Sequence, residues 1–424
     1  MDIGIIGAGF SGLAAAQRLA GKGHHITILE KSGSPGGLAG GFRDPRWAWS
    51  LDKHYHHFFT SDSAVLRMAA DLEQSVLFNR PSTSVLYNGD INRFDDPKSV
   101  LQFPHLKLVD KLRVAAVTAA LKVSPLLPWY EQITAREFLL KFEGRSAWEV
   151  LWEPLFTGKF GRYSSQVSAA WYWTRINKRS PALGYPAGGF QSLADNLAKK
   201  LANDGVDLIF NSPVKKISKT GQKFVVLTES GSRYSFDRII FTLPFFDLKN
   251  LYPRFPSGYM ERINRNPYLG AVNLVLALKQ SFLKKDYWLN INDRRMPFLA
   301  VVEHTNMSSP EYYAGDRLVY IGNYLSRDHR YFSLTANELL REFLPHLQKI
   351  HPGFDLTWVR RSWVWKNAFA QQVVGKNYAR LIPPVSSPVA GFYVANMQQV
   401  YPWDRGTNYA VELGQKAANL CLTL

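Results

Sequence analysis

The first thirty residues alternate between short apolar runs and a stretch of good helix formers. Ile3 to Ile6 carries no polar side chain, which is typical of a strand buried on both faces of a parallel sheet. Leu13 to Ala20 favours a helix, and the largely apolar run from His25 to Leu29 predicts a second strand. This strand–helix–strand order predicts an α/β domain that includes the N-terminal residues.

A glycine-rich turn, Gly7 to Gly12, joins the first strand to the helix, and Glu30 follows the second strand. In this setting a GxGxxG spacing predicts a dinucleotide site. Gly7 permits the tight turn, Gly9 lets a pyrophosphate approach the backbone, and Gly12 lets helix and strand pack closely. The helix N-terminus offers free N–H groups and a positive dipole end to the phosphates. Glu30 is expected to accept hydrogen bonds from both ribose hydroxyls and to disfavour the 2′-phosphate of NADP.

Five glycines lie between Lys31 and Gly41, which suits a backbone lying against a ligand better than a solvent loop. With this stretch the chain resembles the flavin-containing amine oxidase superfamily, which includes protoporphyrinogen oxidase, the carotenoid desaturases and UDP-galactopyranose mutase. Those proteins carry a glycine pair shortly after the acid. Gly36 and Gly37 match this pair, whereas Leu38 stands where Arg or Lys is common. The resemblance implies FAD, bound non-covalently, as the cofactor.

A block in the middle of the chain extends the resemblance. Residues 185–190 (YPAGGF) precede a helix predicted from Ser192 to Asn203, and the chain then runs as a strand to Val214. In the superfamily this is the return of the chain to the FAD domain, which implies that Val214 packs near the adenine. The β-meander that follows is predicted from residues 223–227, 233–236 and 238–242.

The C-terminal block gives the third match. Gly391 to Asn396 predicts a buried strand, and Gly406 precedes the terminal helix. In the superfamily this strand–loop–helix holds the isoalloxazine ring, with the helix N-terminus facing the charge that a reduced flavin develops. Family members usually have an acid where Asn396 stands, so a neutral ribityl contact is implied. The predicted cofactor-binding residues are Gly7, Gly9, Phe10, Ser11, Gly12, Glu30, Lys31, Gly36, Gly37, Leu38, Val214, Asn396, Gly406, Thr407 and Asn408.

The three blocks predict an α/β fold: a Rossmann-type FAD-binding domain with an inserted mixed α+β substrate domain. No second GxGxxG is present, which disfavours a bound nicotinamide dinucleotide. The predicted FAD-domain parts are residues 1–60, 181–250 and 386–424, and the predicted substrate-domain parts are 61–180 and 251–385.

Catalytic candidates concentrate in Trp47 to Ser61, where three of the ten histidines fall within four residues. In an extended chain His54 and His56 share one face, and His57 lies on the other. In the superfamily this segment crosses beside the flavin. Imidazole exchanges protons near neutral pH, so these three histidines are the catalytic candidates, with His56 and His54 first. Histidines packed in a polar strand are the alternative; a zinc site is disfavoured because a third ligand is missing, so no metal is predicted.

The net charge and the cysteine count restrict the partners that this protein can be expected to bind. The 424 residues carry 51 Lys and Arg against 34 Asp and Glu, a net charge of +17, with one cysteine. A single cysteine excludes an internal disulfide, and the position of Cys421 excludes the cysteinyl flavin link of some superfamily members. No nucleic-acid motif or dense basic run is present, so an anionic membrane surface or a phosphate-bearing ligand is the favoured partner of this charge. We expect a cytoplasmic protein, and peripheral attachment to the inner face of the cell membrane is the further possibility that the charge suggests.

His105 to Val123 interleaves apolar residues with Lys107, Lys111, Arg113 and Lys122. Such a helix suits docking on anionic lipid. The same pattern fits a cover over a hydrophobic tunnel, or a core helix with a solvated basic face.

These observations favour an FAD-dependent oxidoreductase that removes hydride from a hydrophobic, isoprenoid or lipid-linked small molecule through flavin N5. The block from Trp152 to Arg175 resembles the desaturase and protoporphyrinogen oxidase branch, whereas the histidine-rich segment also fits a mutase-like isomerase that uses reduced FAD. An amine oxidase and a non-catalytic flavin-dependent scaffold are the remaining alternatives.

Overall fold

The computed structural model describes residues 1–423 and contains a five-stranded parallel sheet, whose strands come from the beginning, the middle and the end of the chain. Its central strand, Asp2–Ile6, pairs with His25–Leu29 on one side and Arg238–Phe241 on the other. All these strands are almost wholly apolar, as burial on both faces of a parallel sheet requires. In spatial order the strands are Asp207–Ile209, His25–Leu29, Asp2–Ile6, Arg238–Phe241 and Phe392–Val394.

Three helices cover this sheet. Phe10–Leu19 lies between the terminal helix Thr407–Thr423 and Phe190–Asn203. The first two helices approach very closely, since a Cβ built on Gly414 would lie 2.0 Å from the Ser11 carbonyl oxygen. Residues from both ends of the chain therefore form one hydrophobic core. The first helix begins at Phe10, nearer to the glycine turn than the predicted Leu13.

An antiparallel meander follows the parallel sheet, but the prediction of its strands was wrong at one position. Arg238–Phe241 is not part of it: Ile240 pairs in parallel with Ile5 and Tyr393. The strand has only apolar residues after Arg238, which fits a position buried on both faces, whereas the meander strands alternate. The meander consists of Val214–Thr220, Lys223–Thr228 and Arg233–Phe236.

A second, seven-stranded sheet forms the other half of the molecule. It is antiparallel except where Asp286–Ile291 pairs in parallel with Ser82–Tyr87. Helix Ala336–Ile350 packs its apolar side on this sheet. The strand order is Val359–Gln372, Tyr268–Leu278, Arg317–Leu325, Ala300–Glu303, Asp286–Ile291, Ser82–Tyr87 and Asp90–Arg93.

A mainly helical region lies between the first and second visits of the chain to the parallel sheet. It has its own aromatic core, which includes Trp148, Phe156 and Trp171. Its longer helices are Ser63–Asp71, Leu108–Val123, Ala135–Phe142, Glu153–Phe160 and Ala169–Asn177. Shorter helices are Pro97–Gln102, Leu127–Tyr130 and Arg145–Ala147, and Phe245–Leu251 and Ser257–Asn264 follow the meander.

The remaining strands are short and form two small antiparallel sheets. Gly41–Phe42 pairs with Leu51–Asp52, and Leu183–Pro186 pairs with both Phe58–Phe59 and Val76–Asn79. Across residues 1–423, none of the helices is both long enough and apolar enough to cross a bilayer.

Candidate active site

The glycine turn forms a cradle made of backbone. Gly7 has φ +105°, a conformation that favours glycine, and a Cβ on Gly12 would lie 2.0 Å from the Gly7 carbonyl oxygen. Gly9 precedes helix Phe10–Leu19, and no side chain caps this helix. The N–H groups of its buried first turn therefore have no intrahelical partner, which is the arrangement that binds a phosphate.

The glycine pair closes the cradle from the opposite side. Gly36 donates its N–H to the Ala8 carbonyl oxygen at 2.9 Å, and Gly36 is bridged to Gly9. A Cβ built on Gly9 would meet only the Cα of Gly37, at 3.8 Å. The space in front of the helix N-terminus is therefore open to a ligand, and the residues present fit a dinucleotide pyrophosphate. Leu38 is half-buried in the short helix Gly37–Ala39 beside the cradle.

Glu30 lies where the ribose site was predicted, but its carboxylate is already engaged. It accepts hydrogen bonds from the Ala8 N–H at 2.8 Å and from the Ser32 N–H at 2.8 Å, and from the Ser32 hydroxyl. A carboxylate has about four acceptor positions, so roughly one remains for a ribose hydroxyl unless the Ser32 hydroxyl rotates away. The neighbouring Lys31 is exposed.

Val214 begins the first meander strand and packs against the core that contains Ile6 and Leu29. The chain just before it crosses the Glu30 loop, where the Ser212 N–H donates to the Glu30 carbonyl oxygen at 2.8 Å. Val214 is thus on the same side of the sheet end as Glu30, which is where the resemblance implies the adenine; that role stays a prediction.

Two of the C-terminal candidates have side chains already used by the fold. The Asn396 amide accepts from the Gln398 N–H at 2.9 Å and donates to the Leu243 carbonyl oxygen at 3.1 Å. The Asn408 carbonyl oxygen accepts from the Ala64 N–H at 2.8 Å and so caps helix Ser63–Asp71. Gly406 and Thr407, at the start of the terminal helix, leave backbone groups for a ligand.

The histidine segment runs between the parallel sheet and the seven-stranded sheet. Residues 53–57 are not a regular strand, so the expected alternation of faces does not organise them. His54 Nδ1 lies 2.7 Å from the Asn273 amide nitrogen of the second sheet, and the His56 ring packs against Phe190 of the FAD-domain helix. The two imidazoles therefore face opposite halves of the molecule.

The hydrogen bonds assign different tautomers to the two rings. His56 Nδ1 donates to the His54 carbonyl oxygen, so the proton of the neutral ring is on Nδ1 and Nε2 has a free lone pair. His54 Nδ1 accepts from the Asn273 amide, so its proton is on Nε2. His56 can accept a proton at Nε2, whereas His54 can donate a hydrogen bond there.

Electrostatics keep all three histidines neutral. Burial, together with the nearby charge of Arg405, lowers the pKa of His54 to about 3 and that of His56 to about 4. Burial, with Arg179, lowers the pKa of His57 to about 3. The His57 ring packs edge-on against Phe59, and its Nδ1 has no hydrogen-bond partner within the described part of the chain.

Sequence reasoning missed Asp52, which is fully buried next to this segment. Its neighbours are the side chain of Tyr185 and the backbone of Phe190 and His56, and burial raises the pKa of its carboxyl group well above 3.8. Burial therefore favours the protonated form of this carboxyl group. An acid directly after a buried strand residue and before Lys53 was the only signal in the sequence.

A group of cations was also missed, because its members come from distant parts of the chain. Arg405 donates to the side chains of Gln371 and Tyr324, both at 2.5 Å, and Arg175 pairs with Asp404 at 2.5 Å. Lys159 lies between the rings of Tyr324 and Trp171, with Nζ 5.0 and 5.3 Å from their centroids. This cation cluster, defined as Lys159, Arg175 and Arg405, adjoins the histidine segment through Tyr324 and Tyr55.

Two known enzymes illustrate what this chain is similar to in sequence. Amine oxidase [flavin-containing] B of Canis lupus familiaris is 22% identical over 450 residues, which covers 98% of this chain and 85% of that protein. The 4,4′-diapophytoene desaturase of Staphylococcus haemolyticus is 54% identical over 51 residues, 12% of this chain and 10% of that enzyme.

Solved structures share the fold along the whole chain. Reduced UDP-galactopyranose mutase superposes with a TM-score of 0.76 at 17% identity, covering 99% of this chain and 95% of that one. Cyclohexylamine oxidase from Brevibacterium oxydans gives 0.72 at 16% identity, covering 99% and 98%. The family model described as flavin containing amine oxidoreductase matches residues 10–422. The chain therefore belongs to the flavin containing amine oxidoreductase family and is an FAD-dependent oxidoreductase.

Proposed function

We propose that this oxidoreductase removes hydride from a hydrophobic, isoprenoid or lipid-linked substrate that it takes from an anionic membrane surface. The observation that supports this proposal is the outward face of helix Leu108–Val123. The helix buries Asp110, Val114 and Leu121 against the protein. Its opposite face is exposed and entirely apolar over the whole length of the helix: Leu108, Val109, Leu112, Ala115, Ala116, Ala119, Ala120 and Val123.

The apolar face continues into the next loop, where Leu126 and Trp129 are 55% and 39% exposed. A contiguous exposed apolar surface of this kind marks an interaction site. Between residues 97 and 130 the chain has five Lys and Arg and one acid, Asp110, which is buried. Apolar residues with flanking cations are the arrangement that inserts into an anionic bilayer.

The charge also favours a membrane over a second copy of the chain as the partner of this face. In a two-fold dimer the same patch meets itself. Here that contact would bring the exposed Lys107, Arg113 and Lys122 of each copy together without an exposed acid to pair with them. An anionic lipid surface satisfies the same cations.

The chain's own residues supply the proton chemistry of the reaction. Bound FAD supplies a two-electron acceptor. His56 is held neutral, with Nε2 free to take a proton from the substrate, and His54 offers an N–H that can orient a substrate oxygen or nitrogen. Asp52 is buried beside this segment, and burial raises the pKa of its carboxyl group, which favours the form without a negative charge.

The test is sedimentation of the FAD-loaded protein with vesicles of phosphatidylcholine and phosphatidylglycerol. Leu112→Asp places a charge in the centre of the apolar face, and we expect the vesicle-bound fraction to fall at least about fivefold. Leu356→Asp is the matched control, since Leu356 is also exposed but lies outside this face. Equal binding of Leu112→Asp and the parent protein, or a monomer–dimer shift caused by Leu112→Asp, would contradict the proposal.

A mutase-like isomerase is the second candidate, and the cation cluster favours it because cations bind the phosphates of a sugar nucleotide. Turnover that needs prior reduction of the flavin but no stoichiometric electron acceptor would support it over the oxidase. The cation cluster counts against a simple amine as substrate, since a protonated amine would be repelled there.

A further inference from the structure

The cation cluster has more positive charge than the protein neutralises. Asp404 pairs with Arg175 at 2.5 Å and lies 3.7 Å from Arg405, and it is the only carboxylate within 4 Å of the cluster among the described residues. With Lys159 protonated, as a bound anion would favour, three cations against one acid leave an excess of two positive charges. Although burial alone would raise it, Arg175 and Arg405 hold the pKa of Asp404 below its ordinary value, so Asp404 stays charged.

The cluster also has donors without acceptors. Lys159 is 8% exposed, and within residues 1–423 its Nζ has aromatic rings as neighbours but no hydrogen-bond acceptor or carboxylate. Arg175 Nε and Trp171 Nε1 are buried and equally unpaired. These groups meet at one place, since the Arg175 guanidinium stacks 4.2 Å from the Trp171 ring and Lys159 lies over the same ring.

Buried cations with unpaired donors are costly unless an anion joins them. Burial, together with Arg175 and Arg405, lowers the pKa of Lys159 well below 10.5, as expected for an ammonium that lacks a counter-charge. This arrangement lies beside the candidate catalytic histidines, where the charge of Arg405 lowers the pKa of both His54 and His56.

We propose that Lys159, Arg175 and Arg405 bind a phosphoryl group of the substrate. This inference rests on the proposed function and names the polar end of the substrate whose apolar part is drawn from the membrane. An excess of two charges matches a phosphate, which carries about −1.5 to −2 at neutral pH, better than a carboxylate. Guanidinium groups are also suited to phosphate oxygens because their N–H groups form a planar fork.

The site is separate from the pyrophosphate cradle of the cofactor. The cradle is backbone at the N-terminus of helix Phe10–Leu19, whereas the cations come from helices Glu153–Phe160 and Ala169–Asn177 and from the loop before Thr407. Cofactor and substrate phosphates would thus be held by different means, one by N–H groups and the other by side chains.

The test is calorimetric titration of the FAD-loaded protein with inorganic pyrophosphate, inorganic phosphate and acetate. We expect pyrophosphate or phosphate to bind and acetate to bind more weakly. Lys159→Met should lower the affinity for the phosphoryl ligand at least about tenfold, because it removes a buried charged partner. Lys159→Arg, which keeps the charge, should recover part of the loss. Lys22→Met, at an exposed lysine in a distant turn, controls for attraction by the overall charge.

Three results would contradict this proposal or a part of the proposed function. Equal weakening by Lys22→Met and Lys159→Met would overturn the site in favour of non-specific attraction. Loss of FAD from Lys159→Met with unchanged pyrophosphate binding would also overturn it, since the cluster would then serve the cofactor. If Lys159→Met is unstable, Arg175→Gln replaces it with the same criteria. Phosphoryl binding that persists while vesicle binding fails would leave this site intact and refute only the membrane part of the proposed function.

Discussion

The glycine cradle and the histidine–cation cleft, which consists of residues 53–57 and the cation cluster, are two candidate binding regions built by different means. In the cradle, the glycines leave an open space in front of the free N–H groups at the start of helix Phe10–Leu19, and side chains matter mainly by their absence. In the cleft, imidazole, guanidinium and ammonium groups from the two halves of the molecule converge. The difference teaches that a site made of backbone depends on local spacing, whereas a site made of side chains depends on the whole fold.

The largest expected effect is on the cradle. Gly12→Ala would place a Cβ 2.0 Å from the Gly7 carbonyl oxygen, backbone that cannot move away without breaking the turn. We expect FAD occupancy, measured from the flavin absorbance of the purified protein, to be lost or to fall at least about tenfold. Gly258→Ala is the control, since no heavy atom lies within 4 Å of its added Cβ. Normal occupancy in Gly12→Ala would show that the cradle is not the cofactor site.

An intermediate effect is expected in the cleft. His56→Ala should retain FAD, because His56 is not part of the cradle, and should lower kcat by about 10²- to 10⁴-fold, the range for general acid–base groups. The matched control is His57→Ala, whose ring packs on Phe59 and has no assigned proton acceptor; we expect a smaller loss. If His57→Ala has the lower kcat of the two variants, the base is His57 and not His56.

The smallest effect sharpens the electrostatic description of the cleft. Burial raises the pKa of Asp52 in the folded protein above its unfolded value of 3.8, so between these two pKa values the folded state binds more protons and Asp52 lowers stability as pH rises. Asp52→Asn removes this dependence. The melting temperature of the variant relative to the parent should therefore rise as the pH increases above about 4. A difference that stays constant with pH would show that Asp52 is ionised when folded.

Much of the parallel-sheet half could be predicted from sequence. The strand His25–Leu29 has its predicted bounds, and the glycine turn, Glu30 and the terminal helix lie together as the motifs implied. The strand, the glycine turn and Glu30 depend on residues within about thirty positions, where apolar periodicity and glycine spacing are direct physical signals. The error over Arg238–Phe241 marks the limit: four residues rich in apolar side chains fit either sheet, and only the partner strands decide.

The sequence by itself determined a backbone site for a dinucleotide, since the Cβ-free positions and the helix start that make it are adjacent in the chain. Only the tertiary structure decided the chemistry of the cleft. The tautomers of His54 and His56 depend on Asn273 and on the path of the segment, and the cation cluster joins residues 159, 175 and 405. Burial and charge are properties of surroundings that distant segments create, so no local pattern in the sequence could have shown them.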